Sequence, residues 1–511
     1  MIKVDSASRR LEILALGAAA AYSPAMLYAT QSLTLIRGYR LIIIAAGVLV
    51  GLGAIVAVLR ATGLERSTAY FSTSLVWLAV AIGGESSGPR WLAAIVSIAV
   101  VAILWRLRDT SLPKNAMAVL TIFLAVAPPA QFVASRVVSG GTGMETRLSA
   151  VQVDLPLDSV DIWVLVLDGY PSKWTLQAQF GVEHHRLEES LVAMGFDVNP
   201  DAVSPYSATM GTLASVLEGD YVLGPGTQLD QYQMARVGAL VGGDGSNMRK
   251  LAAAGYSITM IESGWHLSSC GDGIDTCVAS SWYDETTSAL WSRSALPWLT
   301  GLDLGSPFTR GTLRTFRQLA DLVETLPHNG RSDLVFAHAL APHPPMYLDA
   351  TCERTPSVVE LGGQVFASPS FDAELLEQRK TAFLGQLACV DRATSDLVSA
   401  IPPGDAVMVF GDHGTDSLGQ SALAVDSWTT PMIRERLLTL AALRVPGCDF
   451  SPLQTVDLFM LMIACLSGSE LEALPPRAFA ISNLKDDIGR PQPVAELSAG
   501  TVEDLLSIAT R

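Results

Sequence analysis

Five uncharged runs fill most of the first quarter of this chain, and they constrain its fold more than any other feature. Four of them approach the ~20 apolar residues that a helix needs to span a bilayer. The short fourth run ends in tryptophans, which suit the membrane interface, beside arginines that can snorkel. We therefore expect a helical membrane bundle of about five spans. The runs are Ile13–Leu33, Leu41–Leu59, Ser67–Gly84, Trp91–Trp105 and Ala116–Ala134.

Basic residues flank these runs unequally, which predicts their orientation. One side carries Lys3, Arg9, Arg10, Arg60, Arg66, Arg106, Arg108 and Lys114, and the other carries Arg37, Arg40 and Arg90. The richer side faces the cytoplasm, so five spans deliver everything after about Ser135 to the outside. A cleaved signal peptide would not be followed by four more spans. We expect a membrane anchor over 1–137, a linker over 138–157, and a bacterial-type inner-membrane location with the rear domain periplasmic or extracellular.

Charge divides the chain in the same place. Residues 1–140 carry a net charge of +7, whereas the remainder carries −23. An acidic rear half argues against nucleic acid as a partner. The runs contain no acidic residue or lysine that would indicate an ion pathway, so a transporter is disfavoured.

The rear half alternates short apolar runs with helical patterns, which is typical of a mainly parallel sheet flanked by helices. We expect this α/β domain over 158–490, followed by a C-terminal tail over 491–511 that forms a surface helix. The predicted strands are Ile162–Leu167, Tyr256–Ile261, Leu334–Ala337, Ala406–Phe410 and Leu440–Val445. The predicted helices are Glu183–Met194, Asn247–Ala254, Thr309–Leu326, Ala373–Ala400 and Leu453–Cys465.

All six cysteines lie in the rear half, as expected for an oxidising compartment. Proximity in sequence and loop placement favour three disulfides out of fifteen possible pairings. A metal site is the alternative, but the cysteines lack zinc-finger spacing. The expected pairs are Cys270/Cys277, Cys352/Cys389 and Cys448/Cys465.

Acidic residues follow two of the predicted strands. Asp168 ends the first strand, and Asp412-His413-Gly414 follows the strand at Ala406–Phe410. Open α/β sheets bind ligands at the carboxyl ends of their strands, and Asp with His can hold one divalent metal. For each segment alone, an ordinary turn is the simpler interpretation.

Two further segments contain candidate catalytic or ligand-binding side chains. Ser207, Thr209 and Thr212 lie where small residues lead into a helix, whose N-terminus can hold an anion; an ordinary helix cap is the alternative. His338 ends a strand, and His343 follows in a Pro-rich loop. The alternative for this pair is one core and one surface histidine.

Taken together and in this order, these segments resemble the sulfatase-like branch of the alkaline phosphatase superfamily. The closest likeness is to membrane-anchored phosphoethanolamine and phosphoglycerol transferases, including the lipoteichoic acid synthase type, over residues 158–450. The resemblance implies an alkaline phosphatase-like fold in which Thr209 is the nucleophile and also a metal ligand. It implies that Asp168, Asp412 and His413 are the other ligands, and that His343 contacts the substrate or leaving group or helps to hold a second metal.

The implied activity is a metal-dependent hydrolase or transferase acting on phosphate esters of lipid headgroups or envelope glycans through a phosphothreonine intermediate. An acceptor alcohol gives transfer, and water gives a phosphodiesterase or phosphatase. A membrane-anchored binding protein without activity is the third reading. The implied cofactor is a divalent metal, zinc first and manganese or calcium as alternatives, and the implied partners are the bilayer and a lipid or glycan substrate.

The substrate pocket is expected to include His338, His343, Tyr170 and His266. The sequence departs from the family pattern at two points, and these departures limit the expected metal content and the expected reaction. No histidine follows His413, whereas phosphoethanolamine transferases carry one there, which disfavours a complete second metal site. The rear domain also lacks the C/S-x-P-x-R motif of formylglycine sulfatases, which disfavours sulfate hydrolysis by that route.

Overall fold

The structure is a computed structural model, and the chain in it divides into two compact units. The smaller unit contains the described residues up to 77, and the larger contains those from Val160 onward. The described residues are 13–22, 38–63, 69–70, 73–74, 77, 160–279, 308–326, 331–355, 373–451, 453–471, 473–482 and 492–510.

In the smaller unit, helix α1 (Gly38–Ala61) covers the second predicted span. Its Leu52 and Val56 pack in a small apolar cluster with Leu16 and Ala69. Measured over the described residues, no helix of the structure is both long and apolar enough to cross a membrane. The fourth and fifth predicted spans, most of the third and the linker at 138–157 lie outside the described residues.

The larger unit is built on a seven-stranded sheet. Its strand order is β2-β7-β6-β1-β5-β3-β4, and β7 alone runs opposite to the others. The predicted mainly parallel α/β sheet is therefore confirmed. The strands are β1 (Ile162–Leu167), β2 (Asp197–Val203), β3 (Ser257–Ile261), β4 (Thr276–Val278), β5 (Asp333–Ala339), β6 (Ala406–Gly411) and β7 (Leu438–Arg444).

Strands β2 and β4 are absent from the sequence prediction because neither reads as an apolar run. Strand β2 contains Pro200, and its register with β7 shifts between Asn199 and Ala202. An edge strand tolerates proline and such irregularity because one side needs no ladder hydrogen bonds. Strand β4 has only three residues, and Cys277 joins it to Cys270.

Alternate residues of β1 belong to two different core clusters. Ile162 and Val164 pack in one cluster, whereas Trp163 and Leu165 pack in the other. Side chains of a strand point alternately to its two faces, so the sheet has an apolar core on each side. Helices cover both faces, which explains why the central strands are apolar throughout.

The helices of the larger unit are α2 (Lys173–Phe180), α3 (Arg186–Ala193), α4 (Thr209–Glu218), α5 (Gln231–Ala239), α6 (Ser246–Ala253), α7 (Phe308–Thr325), α8 (Ala373–Ala400), α9 (Thr430–Leu437), α10 (Leu458–Ser467) and α11 (Ala499–Ala509). The five predicted helices are present as α3, α6, α7, α8 and α10, with different ends in all but α8, whereas α2, α5 and α9 have no predicted counterpart.

The C-terminal segment is more than a surface helix. Helix α11 buries Leu505 in a cluster with Val203 and Leu438, and the Ala509 carbonyl accepts a hydrogen bond from Asn199. A two-stranded ribbon, β8 (Phe479–Ala480) and β9 (Ala495–Glu496), precedes it. The segment therefore closes the edge of the sheet at β2.

All six cysteines are paired, and the expected pairing is confirmed. The disulfides are Cys270–Cys277, Cys352–Cys389 and Cys448–Cys465.

Candidate active site

Three adjacent parallel strands bring the site together. Leu167, the last residue of β1, is paired with Ala339 of β5 and with Gly411 of β6. The next residue of β1 is Asp168, and the next of β6 is Asp412. Because the strands end in register, the two carboxylates emerge at the same edge of the sheet.

Backbone N–H groups fix the Asp412 carboxylate. Its Oδ1 accepts hydrogen bonds from the backbone N–H of Gly169 at 2.8 Å and of His413 at 2.9 Å. Gly169 adopts a positive φ of 66°, which favours glycine. The turn directs the Gly169 N–H, just after β1, toward the Asp412 carboxylate, just after β6.

His413 presents one nitrogen to the site. Its Nδ1 lies 2.8 Å from the Gly414 carbonyl oxygen, which can only accept, so Nδ1 carries the proton. Nε2 then offers a lone pair, and it lies 3.4 Å from Asp412 Oδ2 and 3.8 Å from Asp168 Oδ1. Burial, together with the nearby Arg436 guanidinium, lowers the pKa of His413 well below its ordinary value, which keeps the ring neutral.

The two carboxyl groups shift in opposite directions. Burial raises the pKa of Asp412 to about 6, and the charge of Asp168 adds to this effect. Burial also acts to raise the pKa of Asp168, but the nearby imidazoles of His343 and His338 outweigh it and lower the pKa. One carboxyl therefore ionises well before the other, as expected of two like charges at close range.

His338 lies deeper than a substrate contact. Its ring is fully buried on β5, with Nδ1 3.2 Å from Ser268 Oγ and Nε2 3.5 Å from Asp168 Oδ2. The sequence predicts a substrate-binding role for this residue, whereas the structure places its Nε2 among the carboxylates. Three ligand atoms, one each from Asp168, His338 and Asp412, all lie within 4.8 Å of one another.

Several buried atoms of this cluster lack hydrogen-bond partners among the described residues. They are Asp168 Oδ1, Asp412 Oδ2 and His338 Nε2. Leaving buried polar atoms unpaired is costly, and carboxylate oxygens with imidazole nitrogens are the donor set of zinc and manganese sites. The cluster therefore fits a divalent cation, which Asp168, Asp412, His413 and His338 are placed to hold.

The three candidate hydroxyls occupy different environments. Ser207 and Thr212 are buried and donate hydrogen bonds to the backbone carbonyls of Ile481 and Tyr206. Thr209 is the partly buried first residue of α4, and its Oγ1 lies 3.2 Å from His413 Nε2. Thr209 is thus the hydroxyl that the fold brings to the metal-ligand cluster.

His343 reaches the site from the loop after β5. Its ring centroid lies 6.2 Å from that of His413, and its Nδ1 donates to the Pro344 carbonyl oxygen at 2.6 Å. The loop itself is held by Gln386, a fully buried residue of α8 whose amide bonds to four backbone groups. These are the carbonyls of Pro342 and His343 and the N–H groups of Tyr347 and Leu348.

Two adjacent charged residues at the end of α9 are absent from the sequence prediction. Arg436 donates to the carbonyls of Ser207 and Gly414, and Glu435 accepts from Thr415 and the N–H of Ser417. Both are buried. A charged pair within an amphipathic helix gives no sequence signal of burial, because nothing local shows that the helix end turns into the domain.

Two of the predicted substrate contacts are not placed in the site. The Tyr170 ring is fully buried in the core on one face of the sheet, where its hydroxyl donates to Asp391 Oδ1 at 2.6 Å. The turn at Gly169 lies between Asp168 and Tyr170, so the two side chains need not share a face, and the Tyr170 ring enters the core. The His266 side chain lies outside the described residues.

Comparisons with known proteins were made at three levels. No protein-family model matches the chain, and no curated protein matches it. Solved structures that the chain is similar to include a C-terminal periplasmic domain of EptC from Escherichia coli in complex with zinc, with a TM-score of 0.40, 12% identity, and coverage of 68% of this chain and 95% of that one. A phosphonate monoester hydrolase of Agrobacterium radiobacter has a TM-score of 0.40 and 13% identity, with coverage of 64% of this chain and 81% of that one. A 2-O GAG sulfatase has a TM-score of 0.40 and 10% identity, with coverage of 63% of this chain and 78% of that one.

Proposed function

We propose that this protein is a metal-dependent, sulfatase-like hydrolase or transferase that cleaves phosphate esters through a phosphothreonine intermediate on Thr209. One observation carries the proposal. The Thr209 hydroxyl, at the first residue of a helix, contacts His413 Nε2 beside two carboxylates with unpaired buried oxygens. A binding protein without activity has little need of a hydroxyl at that position.

Catalysis begins with the Thr209 hydroxyl. A free threonine is a weak nucleophile, and a divalent cation held by the cluster would lower the pKa of its hydroxyl and offset charge on the ester oxygens. The Asp412 carboxylate, whose Oδ2 lies 3.4 Å from the same His413 Nε2 that contacts the hydroxyl, can accept its proton. Thr209 Oγ1 then bonds to phosphorus while the bond from phosphorus to the leaving oxygen breaks. The N-terminus of α4 favours the anionic group.

His343 is placed to protonate the leaving group. Because its Nδ1 donates to Pro344, the other nitrogen can deliver a proton when the ring is charged, and so neutralise the departing alkoxide. A second attack on the phosphothreonine completes the cycle. Water gives hydrolysis, and an acceptor alcohol gives transfer.

We further propose that the protein is anchored in a bacterial-type inner membrane with this domain on the outer side. The five uncharged runs and the unequal flanking charges support this location, and so do the three disulfides. The substrate would then be a lipid headgroup or an envelope glycan. Membrane fractionation and protease access to intact spheroplasts test the location, and lipid and glycan profiling of a deletion strain tests the substrate.

The experiment that tests the reaction uses the purified full-length protein with zinc and three probes. The probes are 4-nitrophenyl phosphate, bis(4-nitrophenyl) phosphate and 4-nitrophenyl sulfate. We expect cleavage of a phosphate ester, and a loss of at least about a thousand-fold in Thr209→Ala. Mass spectrometry after substrate exposure should find a phosphoryl group on the Thr209 peptide. Adding glycerol or ethanolamine distinguishes transfer from hydrolysis.

Thr430→Ala is the matched control. Thr430 is also the first residue of a helix, α9, but its side chain is exposed. This variant should retain wild-type activity. Unchanged turnover in folded Thr209→Ala contradicts the proposal, and a phosphoryl group found on Ser207 or Thr212 assigns the nucleophile to that residue instead.

A further inference from the structure

Arg436 is a buried cation held in a fixed position beside the site. It is 8% exposed, its Nε donates to the Ser207 carbonyl at 2.7 Å, and its Nη1 donates to the Gly414 carbonyl at 3.1 Å. Ser207 precedes the nucleophile by two residues, and Gly414 follows His413. The two bonds therefore tie the guanidinium between the nucleophile segment and the D-H-G turn.

The third nitrogen of the guanidinium, Nη2, lies toward His413 and Thr209. Arg436 Nη2 lies 3.4 Å from His413 Nε2, the same nitrogen that lies 3.2 Å from Thr209 Oγ1. An N–H to nitrogen contact of 3.4 Å is long for a hydrogen bond. It is also incompatible with metal binding by His413, because a lone pair that binds a cation cannot accept from Arg436.

Arg436 lacks an acidic partner. Among the described residues, no carboxylate lies within ion-pair distance of its guanidinium. Buried arginines are normally paired, because an uncompensated buried charge is costly. A buried guanidinium whose Nη2 makes only a long contact beside Thr209 therefore fits an anion that arrives from outside the chain.

We propose that Arg436 Nη2 binds a non-bridging oxygen of the phosphoryl group that Thr209 attacks. Arginine is suited to this role because its guanidinium stays charged and its N–H groups form strong hydrogen bonds to phosphate oxygens. The two carbonyl bonds pre-orient the fork, so little freedom is lost on binding. The inference rests on the proposed function for the identity of the ester, whereas the anion site rests on the geometry of Arg436 alone.

The test measures binding of inorganic phosphate to the zinc-loaded full-length protein by isothermal titration calorimetry. Arg436→Met removes the charge at similar volume, and Arg436→Lys keeps a point charge without the fork. We expect phosphate affinity to fall at least about ten-fold in Arg436→Met and by less in Arg436→Lys. Where turnover of a 4-nitrophenyl ester is measurable, kcat/KM should fall in the same order.

Arg434→Met is the matched control. Arg434 lies in the same helix, but it pairs with Asp504 at 2.6 Å and its side chain is 28% exposed. We expect its phosphate affinity to be unchanged. Zinc content and thermal unfolding of every variant show whether the ligand cluster and the fold persist.

Three results would overturn the inference. Wild-type phosphate affinity in folded, zinc-loaded Arg436→Met is the first. Loss of zinc in that variant is the second, because it would mean that Arg436 positions His413 rather than the anion. If Arg436→Met does not fold, unchanged affinity in Arg436→Lys decides against it. A wild-type protein that binds phosphate through Arg436 but cleaves no ester would contradict the proposed function and leave the anion site standing.

Discussion

Thr209 and His413 are separated by 204 positions in sequence, yet Thr209 Oγ1 lies 3.2 Å from His413 Nε2. The contact joins the start of helix α4 to the end of strand β6. Gly211 helps to place the helix, because a Cβ there would lie 2.7 Å from the Tyr206 ring. Thr209 is thus positioned with the help of a glycine that lets α4 approach the tyrosine closely.

Replacing the carboxylates should abolish metal binding. Asp168→Asn and Asp412→Asn each remove a carboxylate that can bind a metal and that has one buried oxygen unpaired among the described residues. We expect zinc to raise the melting temperature of the wild type, because a ligand that binds the folded state stabilises it, and to have no such effect on either variant. Zinc content and thermal unfolding with and without chelator measure this. Asp396→Asn, at an exposed position of α8, should behave like the wild type, and zinc stabilisation retained in both site variants would exclude the cluster as the metal site.

Gln386 should control the position of His343. Gln386→Met leaves buried backbone groups of the Pro342–Leu348 loop unpaired, and each unpaired group costs roughly 1–3 kcal/mol. We expect a loss of about 2–5 kcal/mol in the free energy of unfolding and a lower kcat with little change in metal content. Urea denaturation and steady-state kinetics measure these. Gln378→Met, on an exposed face of the same helix, is the control, and equal effects of the two substitutions would argue against the role of Gln386.

Gly414 should not tolerate a side chain. A Cβ there would collide with the Glu435 carbonyl oxygen and come within 2.7 Å of that of Leu438. Gly414→Ala must therefore displace the end of α9 or the D-H-G turn, and overpacking of this kind costs about 1–3 kcal/mol or more. We expect lower stability together with lost turnover, measured by thermal unfolding and ester cleavage. Gly404→Ala, where a Cβ meets nothing within 4 Å, should change neither, and a fully active Gly414→Ala would show that the turn is less constrained than the structure indicates.

Stability should fall as pH rises through the titration of Asp391. Burial raises the pKa of Asp391 from 3.8 to about 6, although the hydrogen bond from Tyr170 favours its ionised form. A carboxyl whose folded pKa exceeds its unfolded pKa binds more protons in the folded state between those values. Its contribution is therefore complete below about pH 4 and is lost by about pH 6.

We expect Asp391→Asn to remove part of this dependence, by up to roughly 3 kcal/mol across that window. Urea denaturation of both proteins between pH 4 and pH 7 measures the difference. Asp396→Asn is again the control, since the exposed carboxyl should leave the pH profile unchanged. Parallel pH profiles for the wild type and Asp391→Asn would mean that Asp391 ionises at its ordinary value.

The sheet was largely predictable because its central strands are buried on both faces. A strand such as Ile162–Leu167 must be apolar throughout, so its pattern is local and visible. The edge strand Asp197–Val203 was not predictable in the same way, because its proline and polar residues are tolerated only where one side of the strand is unpaired.

In the candidate site, too, some features are visible in the local sequence and others are not. The sequence by itself determined which residues follow the strands, since Asp168 and Asp412 come directly after apolar runs. It also grouped Ser207, Thr209 and Thr212 where small residues lead into a helix. Only the tertiary structure decided which side chains meet. In the structure, the Tyr170 ring lies in the core, His338 lies beside Asp168, and Arg436 bonds to the Ser207 carbonyl two residues before Thr209. The reason is that strand register and helix packing are set by contacts between residues far apart in sequence, which no local pattern records.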